Sequence, residues 1–334
     1  MLRYSLLAVA LFGTAAAHAD VVTIPSESGF SGFVMGGAGV QNYQSNFYKG
    51  RGGDDHHDGL HSGPQSQSSL VPLINADLRY TFGDTRTQLF LGNLIQDAVR
   101  FDFTQQAGVR QQIGDKGVLS AGYVFSGMPV KTWKDPYASG SRSETDIKSN
   151  GARLGWDQVW GSGLNASYTY RKVDVDSEES GAELVKQVEL TPSQANMLDR
   201  NGTIHRYELS YDIRLQPKHT LTPTIIYSKA DLDGSAESYD RTQLQLSYAY
   251  QGAQWSLTSN VFAAQRNYDT DNPIYSQQAD ADEYGLNATF FWHQLMGVKP
   301  LSGFVSASYA KSNSDIAFYD TQVSSVGIGL IYNF

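Results

Sequence analysis

Cysteine is absent from this 334-residue chain, which excludes disulfide staples, thiolate metal sites and thiol nucleophiles. An uninterrupted apolar run of about 18 residues, the mark of a membrane-spanning helix, is missing beyond residue 20. Basic charge is scarce: 25 Lys and Arg stand against 34 Asp and Glu, a net charge of −9. That balance disfavours a nucleic-acid binder, which needs a basic stripe to neutralise phosphates. Helical periodicity is rare, and only 40% of residues are hydrophobic, so an ordinary soluble core is not indicated. Glycine, with 32 residues, and tyrosine, with 20, are plentiful.

Residues 1–19 read as a secretory signal. Arg3 supplies the positive region, Leu6 to Phe12 the apolar one, and Ala17-His18-Ala19 a small-residue cleavage site before Asp20. As a transmembrane anchor the apolar stretch is too short, since about 30 Å of hydrocarbon must be crossed. Arg3 is the leader's one charge, so its removal leaves 24 basic against 34 acidic groups, or −10. Export then leads to a secreted, periplasmic or outer-membrane protein.

Beyond residue 30 the pattern alternates with period two, which is the signature of strands. Ile74, Ala76, Leu78, Tyr80 and Phe82 interleave with Asn75, Asp77, Arg79 and Thr81, and Tyr207, Leu209, Tyr211 and Ile213 with Glu208, Ser210 and Asp212. One face is apolar and aromatic, and the other carries both signs of charge. Strands are predicted near 30–41, 70–82, 87–95, 99–112, 117–127, 149–160 and 163–175. Seven more follow near 202–216, 220–230, 239–250, 254–267, 281–293, 301–312 and 319–334. Joints after even strands are short, such as Gly161-Ser162 and Gln251-Gly252-Ala253, whereas 42–69, 128–148, 176–201 and 268–280 are long and polar. Short turns at one end and long loops at the other are the arrangement of outer-membrane barrels.

The fold class predicted is therefore all-β: a transmembrane antiparallel β-barrel of about 14 strands, with 12 or 16 as alternatives and both termini in the periplasm. Residues 1–19 are the signal peptide, 20–29 a short periplasmic segment and 30–334 the barrel. The competing fold is a soluble β-sandwich or propeller with its apolar face in a core. Against it, the apolar face ends repeatedly in Tyr or Trp, as interface girdles do. Val326, Ile328, Leu330, Tyr332 and Phe334 alternate with smaller residues to the last position. This resembles the terminal strand of Gram-negative outer-membrane proteins, which implies that Tyr332 and Phe334 form a signal read by the barrel-assembly machinery.

Several segments resemble an uncharacterised Gram-negative outer-membrane family, the domain of unknown function twenty-eight-sixty. They are Ile24 to Phe33, Val99-Arg100-Phe101-Asp102, Gly108 to Gln112, Leu154 to Gln158 and Tyr168 to Lys172. The resemblance covers essentially the whole mature chain and implies an outer-membrane barrel; it supplies no activity and no functional residues.

Polar residues on the inner face are the functional candidates. By parity the pore-lining set is Asp77, Arg79, Arg100, Asp102, Arg110, Arg153, Asp157, Arg171, Arg206, Glu208, Asp212, Arg214, Arg241, Arg266 and Glu283. Nine arginines and six acids make that wall net positive although the chain is acidic. Fourteen strands fall between about eight, whose interior side chains fill, and 16–18, which leave an aqueous channel. Arginines facing carboxylates across water would set a transverse field that orients polar solutes; the competing reading is a paired network that plugs the barrel. His56, His57 and His61, with Asp54, Asp55 and Asp58, are a weak metal candidate in a Gly-rich loop without fixed geometry. The acids of 176–183 and 231–237 read as solvated loop faces. His205, His219 and His293 are scattered, and no serine lies in a nucleophile elbow, so no enzyme is expected. No cofactor is expected either.

The sequence thus points to a porin-like channel for passive diffusion of small hydrophilic solutes, ions or sugars. The alternative is a structural or surface-binding barrel, with an outer-membrane enzyme behind it. Expected partners are outer-membrane lipid and lipopolysaccharide, the assembly machinery and the solutes themselves. No nucleic acid is expected, and the sequence fixes no oligomeric state.

Overall fold

Alternating apolar and polar residues become the two faces of a pleated strand, and in a computed structural model describing residues 23–49, 55–92, 105–126 and 130–334 they do so throughout. The strands are β1 (Gly29–Gln44), β2 (Ser66–Phe82), β3 (Thr87–Gly92), β4 (Gln105–Gln112) and β5 (Val118–Phe125, resumed at Val130–Trp133). Next come β6 (Glu144–Asp157), β7 (Leu164–Val175), β8 (Gly202–Tyr211, resumed at Ile213–Gln216), β9 (His219–Leu232) and β10 (Tyr239–Gln251). The last four are β11 (Trp255–Tyr268), β12 (Ala281–Trp292), β13 (Leu301–Ser314) and β14 (Thr321–Asn333). Both parts of β5 pair with β6, and both parts of β8 pair with β9, so each is one strand with an interruption.

Every strand is antiparallel to its neighbours in sequence. The last returns to the first through pairs such as Gly36 with Leu330 and Val40 with Val326. Phe334 extends this seam, its N–H donating to the Gly32 carbonyl at 3.0 Å and its carbonyl accepting from Gly32 N–H at 2.9 Å. The sheet is a closed barrel of fourteen strands, as the alternation predicts.

Turns 83–86, 113–117, 158–163, 217–218, 252–254 and 293–300 lie at one end, together with the start of β1 and the end of β14. Segments 45–49, 55–65, 134–143, 176–201, 233–238, 269–280 and 315–320 lie at the other. The expected loop 128–148 is shorter than its polarity suggests, because Val130–Trp133 pairs with Glu144 to Ile147. At the short-turn end the leading segment is tied down. Ile24 N–H donates to Gln112 Oε1 at 3.1 Å, and Arg86 Nη1 donates to the Ile24 carbonyl at 2.6 Å.

The outer face exposes Ile74, Leu78, Leu154, Leu209, Leu244, Leu286 and Ile328. An apolar band this large on a closed barrel is a lipid-facing surface, since only a closed barrel or a helix satisfies its backbone in hydrocarbon. Phe82, Trp255, Trp292 and Tyr332 ring its short-turn edge. Tyr227 and Tyr284 ring the other. Trp255 pairs with Trp292 and Ala263 with Tyr284. Eight residues along β11 therefore separate the girdles, about 26 Å along the strand and about 20 Å of height at a tilt of about 40°, near the apolar height of about 25 Å of outer-membrane barrels.

Leu209 sits in the middle of this belt beside Ile225 and Ala166. Leu209→Arg is expected to cost about 2–4 kcal/mol of folding stability, and Leu209→Ile under about 1 kcal/mol. Urea titration of the protein folded in phospholipid vesicles measures both; equal costs would mean that the faces are misassigned.

Candidate functional site

The inner face is built largely from small polar residues, such as Ser256, Thr258 and Asn260 on β11 and Ser302, Ser306 and Ser308 on β13. Phenylalanines interrupt them, and three stand directly across from a glycine: Phe90 from Gly108, Phe262 from Gly285 and Phe304 from Gly329. A Cβ at Gly108 would lie 2.8 Å from the Phe90 ring, and one at Gly329 would lie 2.6 Å from Phe304. The missing side chain is what lets each ring lie flat on the wall and stay out of the lumen. Toward the short-turn end Phe33, Met35, Val71, Leu73, Phe291, Phe304 and Ile331 form an apolar cluster on the inner face.

Charge is layered on this wall. Arg79 Nε contacts Asp77 Oδ1 at 2.5 Å, and Arg206 Nη2 contacts Glu208 Oε2 at 3.0 Å, each pair two residues apart on one strand. Glu283 on β12 receives Arg241 from β10 at 2.8 Å and Arg266 from β11 at 2.5 Å. In every pair the carboxylate is the deeper partner. The side chains of Asp77, Glu208 and Glu283 are 0, 3 and 7% exposed, against 29, 12, 14 and 28% for Arg79, Arg206, Arg241 and Arg266. The expected transverse field is therefore corrected: these pairs lie within a wall, not across the lumen, because residues i and i+2 share a face.

The other sequence candidates are distributed along the barrel. Arg110 stacks on Phe90 at 4.8 Å, Arg153 is buried in the wall and Asp157 is half-buried. Arg171 lies near the long-loop end. Asp212 accepts from Thr222 Oγ1 at 2.7 Å and from Asn165 Nδ2 at 3.1 Å. Arg214 shares the inner parity but is exposed at the short-turn end, and Arg100 and Asp102 lie outside the described residues.

The long loops pack into a cap that the sequence does not announce. Tyr137, Leu184, Leu190, Leu198, Ala236, Ile316, Phe318 and Tyr319 form its core with Tyr268 and Ala279. Phe318, fully buried, is its centre, with Tyr137 at 5.4 Å, Phe47 at 5.8 Å and His57 at 5.3 Å between ring centroids. Two arginines stitch the loops together. Arg142 stacks on Trp133 at 4.4 Å and donates to the carbonyls of Asn46, Asp55 and His56. Arg200 is held by Glu178 at 2.8 Å and donates to Thr132 Oγ1 and the Trp133 carbonyl. Asp135 accepts the backbone N–H groups of Tyr137, Gly181 and Glu183, each at 3.0 Å.

This packing corrects the reading of the loop acids for two of them, while Asp176, Glu179, Asp231 and Asp233 are exposed as expected. Glu178 and Glu237 are sequestered with partners. The histidines diverge: His56 pairs with Asp55 at 2.6 Å, His57 lies edge-on to Phe318 and His61 edge-on to Tyr275. Among the described residues no group of three His, Asp or Glu side chains has metal-binding geometry. One contact that sequence spacing hides is His293, which reaches Ser256 at 3.0 Å and Ser302 at 3.3 Å. Ser256 is completely buried, which no accessible nucleophile is.

The family model described as Protein of unknown function (DUF2860) matches residues 29–333, which is the barrel from its first strand to its last. The chain belongs to this family. No curated protein matches its sequence. Among solved structures, it is similar to the CymD monoaromatic hydrocarbon channel, at 10% identity and a TM-score of 0.46, over 97% of this chain and 94% of that one. It is also similar to OmpT with loop L8 deleted, an outer membrane protein of Vibrio cholerae, at 9% identity, TM-score 0.43, and 92% and 99% coverage. The outer membrane channel DcaP of Acinetobacter baumannii gives 13% identity, TM-score 0.41, and 92% and 97% coverage. At such values the likeness adds nothing to the strand pairing and the lipid-facing belt, which by themselves make this DUF2860 protein a barrel of the outer-membrane type.

In this DUF2860 barrel the base of the cap is chemically unusual. Glu237 is buried, and its Oε1 accepts from the Tyr319 hydroxyl at 2.5 Å and from the Tyr137 hydroxyl at 3.0 Å. Asn272 Nδ2 donates to the Tyr319 oxygen at 2.7 Å. Burial pushes the Glu237 carboxyl up to about 7, against the two tyrosine bonds and the more distant Arg200, which favour its charged form. Between its ordinary value and about 7 the packed cap holds a proton that a released loop would lose. The Glu237 contribution to cap stability, on the order of 3 kcal/mol, is therefore complete at low pH and is lost as pH rises to about 7.

Two outcomes are expected. Hydrogen exchange of loop 176–201, corrected for intrinsic rates, should quicken between about pH 4.5 and 7, and Glu237→Gln should flatten that dependence. Phe318→Ala should cost the cap about 3–5 kcal/mol and open the loops to protease, while the barrel keeps its heat-modifiable electrophoretic mobility.

Proposed function

We propose that this protein is a passive channel of the outer membrane for small hydrophilic solutes, ions or sugars, with a weak preference for anions. The observation that carries this reading is the layering of charge. A solute in the lumen meets guanidinium groups first, because the carboxylates of Asp77, Glu208 and Glu283 lie beneath Arg79, Arg206, Arg241 and Arg266. The Phe–Gly pairs support it, since they hold bulky rings against the wall. In this reading residues 1–19 direct export, the short turns face the periplasm and Tyr332 and Phe334 engage the assembly machinery. Lipid and lipopolysaccharide surround the belt, and the loop cap shuts the outer mouth.

The packed cap also favours a second reading, a surface-binding barrel that does not conduct. Single-channel recording in a planar bilayer separates the two. The channel reading expects discrete conductance steps and a reversal potential on the anion side of a salt gradient. Selectivity should rise as the Debye length grows from about 8 Å to about 30 Å on dilution. Phe318→Ala should lengthen open times, and Arg79→Gln with Arg266→Gln should move the reversal potential toward cations by uncovering Asp77 and Glu283. If neither the natural protein nor Phe318→Ala gives conductance or solute flux in liposomes, the channel is ruled out and the surface-binding barrel stands.

A further inference from the structure

Directly under the cap lies a cavity of about 360 Å³, walled by the inner faces of the strands at the long-loop end and by Glu237 and Tyr319 of the cap. Among aliphatic and hydroxyl residues such as Ile204, Leu232 and Thr132, two kinds of group stand out on its lining. The first is aromatic: Phe47, Tyr48, Tyr239, Tyr268 and Tyr319. Tyr48, with 39% of its surface open, is one of these lining residues. The second is cationic: Arg171, Arg200 and Arg266.

Glu237 is the single acid on this lining, and its carboxyl is taken up by two tyrosine hydroxyls. Lys148, at the rim, is neutralised by Asp176 at 2.7 Å. Arg200 is paired with Glu178 at 2.8 Å and its other donors are engaged by Thr132 and two carbonyls, so it adds no net charge, whereas Arg266 shares the one carboxylate of Glu283 with Arg241 and leaves one positive charge. Arg266 lies over the Tyr239 ring at 4.7 Å, with Glu283 on Nη2 and no protein partner on Nε.

We propose that this cavity binds a small organic carboxylate that carries one flat ring, and that such anions are the solutes the outer part of the lumen selects. An inorganic anion would use the positive field and leave the ring faces without contacts. A neutral sugar or alcohol would use the faces and leave the charge unanswered. The volume is at the lower end of small-molecule sites, enough for one ring and a short acidic arm. The selection rests on the channel reading; the binding does not.

The test is equilibrium titration of the full-length folded protein in detergent, followed by calorimetry and by saturation transfer to the ligand. Benzoate is the probe, with benzyl alcohol, glucose and sulfate as comparators. Phe318→Ala is titrated in parallel, so that slow access past the cap cannot mimic the lack of a site. Benzoate should bind at least about tenfold more tightly than benzyl alcohol or sulfate, and Tyr48→Ala and Arg171→Gln should each weaken it about tenfold. Comparable affinity for benzyl alcohol or sulfate, preference for glucose, or indifference to both substitutions would overturn the proposal. Conductance without benzoate binding removes the proposal and leaves the channel. Benzoate binding without conductance keeps the site and removes the channel.

Discussion

Hydrocarbon supplies no hydrogen-bond partner, and that constraint organises the whole molecule. Each unpaired backbone group left in the bilayer would cost several kcal/mol, so the sheet has to close. The seam between β1 and β14 is as complete as any other, running from Phe33 with Asn333 to Gln44 with Gln322. Closure fixes the two-sidedness of every strand at once. A one-residue slip anywhere would turn Leu209, Leu244 and Leu286 inward and drive Glu208, Gln243 and Gly285 into lipid.

With the wall closed, the interior is settled by what neighbouring strands place side by side. Glycine makes room for phenylalanine at three cross-strand pairs, and two of those rings carry an arginine in turn: Arg110 over Phe90 and Arg241 over Phe262. The arginines thereby gain a surface to lie along. The acids beneath them are paired by the same guanidinium groups that shield them from the lumen. An acidic chain thus carries guanidinium groups on the lumen side of its wall.

The cap answers a different constraint. Loops that rise from the rim of a barrel must each be ordered at an entropic cost, and here they share one core. Phe318 from the last loop meets Phe47 from the first and Tyr137 from the third. Arg142 and Arg200 then bind loop carbonyls that would otherwise need water. The result roofs a cavity, and Glu237 with its two tyrosines stands at the junction between cap and lumen.

Much of this was legible in the amino-acid order. Period-two alternation is a local property, so it identified the lipid face at Ile74, Leu78 and Leu209 and located fourteen strands. The i, i+2 pairs Asp77–Arg79 and Glu208–Arg206 were visible for the same reason. Strand register is not local. The Glu283 bridge to Arg241 and Arg266 spans three strands, and the Phe–Gly pairs join residues 18 to 25 positions apart whose opposition depends on turn geometry. Least legible was the cap: hydrophobic residues spread over six polar loops carry no period, and the loop acids read as solvated until the fold buried Glu237 and paired Glu178. The sequence by itself determined a closed amphipathic wall, because alternation follows from the pleat. Only the tertiary structure decided which charges cover which, and what roofs the cavity, because those contacts join segments that meet only after the barrel has closed.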